Sequence, residues 1–203
     1  MKHWRLDTDN QTLVLSCLDN RVPCLIYWGQ KLPGDESLED LIEASKKDWG
    51  DNLLDKIPDL SILPEQSANF TGQLGCKIRD INGQILSPHF IFQSEVLNNN
   101  LLALTYIDKA LGLTYLASIT AYSSNDIFAL SAKIESDNPI NMEWLSTPVI
   151  AASQSSNEMI DYGGQWGGEF RKQLTPWVTG VHMRESRSGT TSHANFPGLI
   201  IPS

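Results

Sequence analysis

Residues 101–142 read LLALTYIDKALGLTYLASITAYSSNDIFALSAKIESDNPINM, and apolar side chains fall on every second position in three successive runs. Leu102, Leu104 and Tyr106 form the first. Leu111, Leu113, Tyr115, Ala117, Ile119 and Ala121 form the second, and Phe128, Leu130, Ala132 and Ile134 the third. A period of two places alternate side chains on one face of an extended chain, whereas a helix repeats every 3.6 residues. Ser123-Ser124-Asn125-Asp126 and Ser136-Asp137-Asn138-Pro139 interrupt the alternation with turn-forming residues. The stretch is therefore expected to be a three-strand meander with one face buried.

The same rhythm extends in both directions. A hairpin is expected to pair residues 11–18 with 22–28 around Asp19-Asn20. A second is expected to pair 75–81 with 84–92 through a type I′ turn at Asn82-Gly83, whose two central residues must both take positive φ. Pro88 has no N–H to give a ladder, so it confines that second strand to an edge or ends it early. Further strands are expected around 143–151, 157–162, 169–174 and 178–186. Ten or more short strands with turns between them define an all-β chain, a large two-sheet sandwich. The chain of 203 residues is expected to form one domain over 1–203.

One segment departs from this pattern. Ser37-Leu38-Glu39-Asp40-Leu41-Ile42-Glu43-Ala44-Ser45-Lys46-Lys47 spaces its apolar residues three and four apart behind a Ser37/Asp40 capping pair, and a short helix is expected there. Residues 48–74 follow with Pro58, Pro64 and Gly72 and no clear period, which reads as a long excursion from the sandwich. Long excursions tend to carry function.

Composition limits the partners. A net charge of −9 and no dense Lys/Arg cluster exclude a nucleic-acid or anionic-membrane ligand, since Arg171-Lys172 and Arg184 with Arg187 are diluted by Glu169 and Glu185. The amino terminus lacks the apolar run of a signal peptide, so a soluble, cytoplasmic protein is expected. Cys17, Cys24 and Cys76 are odd in number and lack CxxC spacing, the pattern of small buried hydrophobes rather than of disulfides or zinc ligands.

The search for catalytic chemistry gives little. His3, His89, His182 and His193 are scattered and form neither HxH nor HExxH, so no metal and no cofactor are expected. Ser186 and Ser188 precede His193, yet the GxSxG of a nucleophile elbow is missing and the run reads as an exposed loop. Gly163-Gly164-Gln165-Trp166-Gly167-Gly168 lacks the lysine of a phosphate loop, and glycines around a tryptophan in a β protein mark a tight corner or a sugar-stacking surface. Trp49 and Asp51 on the excursion, together with Trp166, have the side-chain types that face sugars, an indole for a pyranose and a carboxylate for its hydroxyls. They are the candidate substrate-shaping residues, set against the alternative that Trp49 packs the helix onto the sandwich and that Trp166 and Glu169 serve structure.

Short motifs in order along nearly the whole chain resemble the N-terminal domain of family 36 glycoside hydrolases of the α-galactosidase type. They begin with Trp4-Arg5-Leu6-Asp7-Thr8, Tyr27-Trp28-Gly29 and Leu32-Pro33. Leu104-Thr105-Tyr106, Asp108, Leu111-Gly112-Leu113 and Asp126-Ile127 follow. Gly164, Trp166, Glu169-Phe170 and Gly180 come next, and Glu185-Ser186-Arg187, Gly189 and Ser192-His193 close the series.

The resemblance implies a supersandwich like that of galactose mutarotases. It also implies a C-terminal catalytic (β/α)8 barrel in the same polypeptide, which holds both aspartates of a retaining mechanism, so no catalytic residue is expected in this chain and the chain alone is expected to be inactive. The expected roles are to support the barrel and a homo-oligomer and to shape a neighbouring active site that takes galactose-containing oligosaccharides. Alternatives are a stand-alone carbohydrate-binding module, or a family member that acts on α-N-acetylgalactosaminides or transfers galactosyl groups. One departure stands out: members often carry Gly-Asp-[Phe/Tyr]-Arg on the excursion, where this chain has Ala68-Asn69-Phe70-Thr71-Gly72.

Overall fold

An alternating strand gains from its apolar face only when a second apolar layer covers it, and the chain supplies both layers. The computed structural model describes residues 2–17, 19–46, 59–152, 155–165, 167–178, 180–184 and 196–202. The strands are β1 (Lys2–Asp7), β2 (Gln11–Cys17), β3 (Cys24–Gln30), β4 (Cys76–Asp80), β5 (Ile85–Leu86) and β6 (Ile91–Asn98). They continue with β7 (Leu101–Asp108), β8 (Leu113–Tyr122), β9 (Ile127–Ser136), β10 (Ile140–Leu145), β11 (Glu158–Gln165) and β12 (Gly168–Pro176). A single α-helix among the described residues, α1 (Leu38–Ser45), follows β3. The chain divides into two compact units, Met1–Ile150 and Ala151–Ser203.

The first unit holds three antiparallel sheets, ordered β1-β2-β3, β10-β4-β5 and β6-β7-β8-β9. The meander is β7-β8-β9, with its register set by Leu102 opposite Ile119, Leu104 opposite Ala117 and Tyr106 opposite Tyr115. Each of these six is buried. They meet Trp4 and Leu6 of β1, Leu13, Leu15 and Cys17 of β2 and Ile78 of β4 in one core. Burial of each large aliphatic side chain contributes about 1.5–3 kcal/mol. Aromatic rings pack within and between the sheets: Phe92 of β6 meets Tyr106 of β7 edge-on at 5.6 Å, and Trp4 of β1 lies 6.0 Å from Phe92. The expected all-β sandwich is the observed fold.

Helix α1 starts where expected: the Ser37 hydroxyl accepts from the Asp40 N–H at 3.2 Å, and Ile42 is the helix's buried residue. β5 is only two residues long and stops before Pro88, in line with the early end assigned to that strand.

Three expectations are corrected. The Asn82-Gly83 turn is not type I′, because Gly83 alone has positive φ (84°). Three residues span from Asp80 to Gln84, and Asp80 Oδ1 accepts from the N–H groups of Asn82 (2.9 Å) and Gln84 (2.8 Å), so the aspartate organises the loop and one left-handed residue closes it. It is Asp19 and Asn20 that both take positive φ, at 51° and 57°.

The second half of the 48–74 excursion returns to the interior: Ile62 and Leu63 are fully buried, Ile62 N donates to Pro23 O at 2.9 Å, and Val149 N donates to Ile62 O at 2.8 Å. Scattered apolar residues with no period were anchoring a loop segment, not leaving the core. Within 178–186, the described residues 178 and 180–184 form no strand.

The second unit is the β11-β12 hairpin with a third segment beside β11. Ile160 and Ile200 exchange both backbone hydrogen bonds, at 2.8 and 2.9 Å, and Phe196 N donates to Tyr162 O at 3.0 Å. The glycine corner is sterically required: a Cβ on Gly164 would lie 2.2 Å from Gly168 O, and Gly167 has φ 79°.

Candidate functional site

Four polar residues of the first unit converge because each sits where a strand or turn ends. Arg21 follows the left-handed Asp19-Asn20 pair, Glu65 follows Pro64 on the buried return, His89 follows Pro88, and Asp108 closes β7. The Glu65 carboxylate, buried with a side chain 3% exposed, accepts from Phe90 N at 2.9 Å and from Arg21 Nη2 at 3.0 Å. Arg21 Nη2 also donates to Ser67 Oγ at 3.1 Å, and Arg21 Nη1 lies against the His89 ring. Asp108 accepts from His89 N at 2.8 Å, Ala110 N at 2.9 Å and Leu111 N at 3.0 Å. The two carboxylates thus grip the backbone of successive residues, His89 and Phe90.

Desolvation raises the Glu65 pKa above the ordinary carboxylate range, opposed by the Phe90 N–H and by Arg21. The burial that raises it also keeps the charge beside its partners. Glu65 borders a cleft of about 290 Å³ that is also lined by Leu74, Cys76, Ile78 and Leu86 and by Lys77 and Arg79. Burial pushes the Cys76 thiol up to about 12, so it is protonated at neutral pH and is a poor nucleophile there. Each carboxylate of this cluster is engaged by backbone donors, the arrangement of a fastening and not of an acid/base pair facing a substrate.

A second fastening joins two turns. Asp126, left-handed at φ 53° after β8, accepts from Asn10 N (2.8 Å), Asn10 Nδ2 (2.7 Å) and Thr8 Oγ1 (2.7 Å), so the β1-β2 turn is tied to the β8-β9 turn. These bonds, those from Asn10 first, lower the Asp126 pKa.

In the second unit Asp161 of β11 is buried, paired with Arg184 Nη1 and 3.7 Å from His182 Nε2. Beside it runs a groove of about 670 Å³ walled by Met159, Trp177, Val178, Val181 and Leu199. Glu169 of β12 accepts from Gly167 N at 3.0 Å and thereby clips the glycine corner, a structural role for that residue.

The sequence-derived candidates Trp49, Asp51 and Trp166 lie outside the described residues, as does the 185–193 run of the resemblance. Other residues that carried the resemblance fall on fastenings and turns: Trp4 in the core, Asp108 and Asp126 in the clasps, Gly112 at φ 63°. Sequence reasoning passed over Glu65, Arg21 and Asp161 as functional candidates. For the carboxylates of Asp108 and Asp161 a signal existed, because each occupies the buried parity of its strand, after Tyr106 and after Met159. Among the described residues no group of His, Cys, Asp and Glu is placed to hold a metal ion.

A β-sandwich unit held by buried carboxylate clasps, with a smaller antiparallel hairpin unit, defines an all-β class. Residues 21–203 match the family model described as the glycosyl hydrolase family 36 N-terminal domain. The chain belongs to that family. It is 25% identical to an α-galactosidase of Escherichia coli over 203 residues, which covers 98% of this chain and 28% of that protein. It superimposes on the α-galactosidase of Lactobacillus brevis with a TM-score of 0.81 at 16% identity, over 97% of this chain and 30% of that one. A variant of the α-galactosidase AgaA of Geobacillus stearothermophilus, solved with raffinose, gives 0.77 at 18% identity over 98% and 31%. The chain therefore spans less than a third of the length of these relatives.

Proposed function

We propose that this chain is the non-catalytic N-terminal domain of a cytoplasmic, retaining α-galactosidase, which releases terminal α-linked galactose from oligosaccharides. The catalytic aspartates belong to a (β/α)8 barrel of the same polypeptide, and the domain braces that barrel and the homo-oligomer. Trp49, Asp51 and Trp166 are its candidate contacts with a neighbouring active site. The observation that carries this reading is the match of residues 21–203 to a domain of α-galactosidases, in a chain whose buried carboxylates Glu65 and Asp108 are engaged by backbone N–H groups. A retaining glycosidase needs two carboxyl groups about 5–5.5 Å apart across the scissile bond, one of them free to attack.

The test compares two proteins with a chromogenic α-galactoside. The 203-residue chain should show no turnover, and the polypeptide extended by its catalytic part should hydrolyse it. Titration calorimetry of the 203-residue chain with melibiose should give no binding heat. Turnover by the isolated chain would reassign the catalytic groups to it, and strong melibiose binding would make it a carbohydrate-binding module.

A further inference from the structure

Asn82 is the one asparagine of the chain that a glycine follows, and both residues are exposed in the loop between β4 and β5. The side-chain amide carbon of an asparagine lies within reach of the backbone nitrogen of the next residue. A glycine leaves that nitrogen unshielded, because it has no Cβ to obstruct the approach. The surroundings are open as well: a Cβ built on Gly83 would meet no atom within 4 Å. Against this, the hydrogen bonds of the loop hold both reacting groups. Gly83 N donates to Asp80 O at 3.1 Å, and Asn82 Nδ2 donates to Asp80 Oδ2 at 3.4 Å. Asp80 Oδ1 fixes the N–H groups of Asn82 and Gln84, and Arg79 Nη1 donates to Gly83 O at 2.8 Å.

We propose that Asn82-Gly83 is a site at which the chain modifies itself, with Asp80 as the latch that sets the rate. Gly83 N gives its proton to solvent base and attacks Cγ of Asn82. The N–Cγ bond forms, the Cγ–Nδ2 bond breaks, and ammonia leaves with a proton taken from water. Water then opens the cyclic imide at one of its two carbonyls. Breaking the bond from Gly83 N to Cγ gives aspartate, and breaking the bond from Gly83 N to the main-chain carbonyl carbon of residue 82 gives isoaspartate. A Gly83 N–H that donates to Asp80 O cannot attack, so closure waits until the loop releases Asp80. The product sets a carboxylate at residue 82 where an amide had donated to Asp80 Oδ2, and attraction becomes like-charge repulsion. The isoaspartyl form also adds a methylene to the main chain between the two N–H groups that Asp80 Oδ1 holds. The element that loosens is β5, which is two residues long and joins β4 through the pairs Ile78–Leu86 and Arg79–Ile85.

The test incubates the native 203-residue chain in mildly alkaline buffer and maps it by mass spectrometry after trypsin. Residues 80–109 form one peptide, because Arg79 precedes it, Lys109 ends it and no other Lys or Arg lies within. Asn98, Asn99 and Asn100 belong to the same peptide, are exposed, and serve as the internal control. Asn82 should convert to a mixture of aspartate and isoaspartate while these three stay intact. Conversion should be several-fold faster in Asp80→Ala and in the unsubstituted chain unfolded in guanidinium chloride, a comparison that holds even if the variant folds poorly. In the converted chain the amides of residues 85 and 86 should exchange with solvent several-fold faster. An Asn82 that survives incubation of the unfolded chain, or conversion of Asn98, Asn99 or Asn100 at the same rate, would overturn the site. Equal rates in the native and unfolded chains would overturn the latch, and unchanged exchange at 85 and 86 would overturn the loosening of β5.

Discussion

Glu65 shows how one side chain decides a loop's position. Its carboxylate joins Arg21, Phe90 and the return segment after Pro64, residues far apart in sequence. Glu65→Ala leaves the Arg21 guanidinium and the buried Phe90 N–H without their acceptor, and should cost about 3 kcal/mol by urea unfolding. Glu65→Gln keeps an oxygen acceptor and should cost about 1–2 kcal/mol. Because folding raises the Glu65 pKa, the charged form is the penalised one: its contribution is fully present below the unfolded value and declines as pH rises through the folded value. The Gln variant should therefore have a flatter stability profile through that window. Asp126 behaves oppositely. Its folded pKa is lowered, so its contribution is present above the unfolded value and lost as pH falls through the folded one. Asp126→Asn tolerates the left-handed backbone, and its stability deficit should vanish in acid below the folded pKa, as followed by circular dichroism during acid titration.

At the scale of the element, turn chemistry separates what a sequence announces from what it withholds. Asn82-Gly83 signals a hairpin, and a hairpin forms, but Asp80 imposes a longer loop by binding two of its N–H groups. Gly83→Ala should consequently cost about 1 kcal/mol, the penalty of a Cβ at φ 84°. Asn82→Ala should stay within about 0.5 kcal/mol, since Asn82 lacks positive φ. A type I′ turn would make both positions sensitive, so thermal unfolding of the two variants discriminates. The strands β7, β8 and β9 were legible because parity alone fixes which face is buried. The return of Ile62 and Leu63 to the core was not, because a buried irregular segment has no period to read.

For the whole molecule, the uneven distribution of buried surface makes a dynamic prediction. Amide exchange of the 203-residue chain should be slowest in β7 and β8, whose alternate side chains are buried, and at least about tenfold faster in β11 and β12, where apolar side chains such as Leu174 and Phe170 are exposed. Mass spectrometry of exchange reads this directly, and equal protection would refute it. Alternation in 101–142, the capped helix after Ser37 and the ordered motifs were enough, without coordinates, to establish an all-β scaffold and its family. These signals are local: parity, capping and turn propensity act over a few neighbouring residues. The clasp of Arg21, Glu65, His89 and Asp108, the tie from Asp126 to Asn10 and the pairing of Asp161 with Arg184 belong to tertiary structure alone. They depend on which distant backbone N–H or guanidinium meets which carboxylate. No such meeting is encoded in any short window of residues.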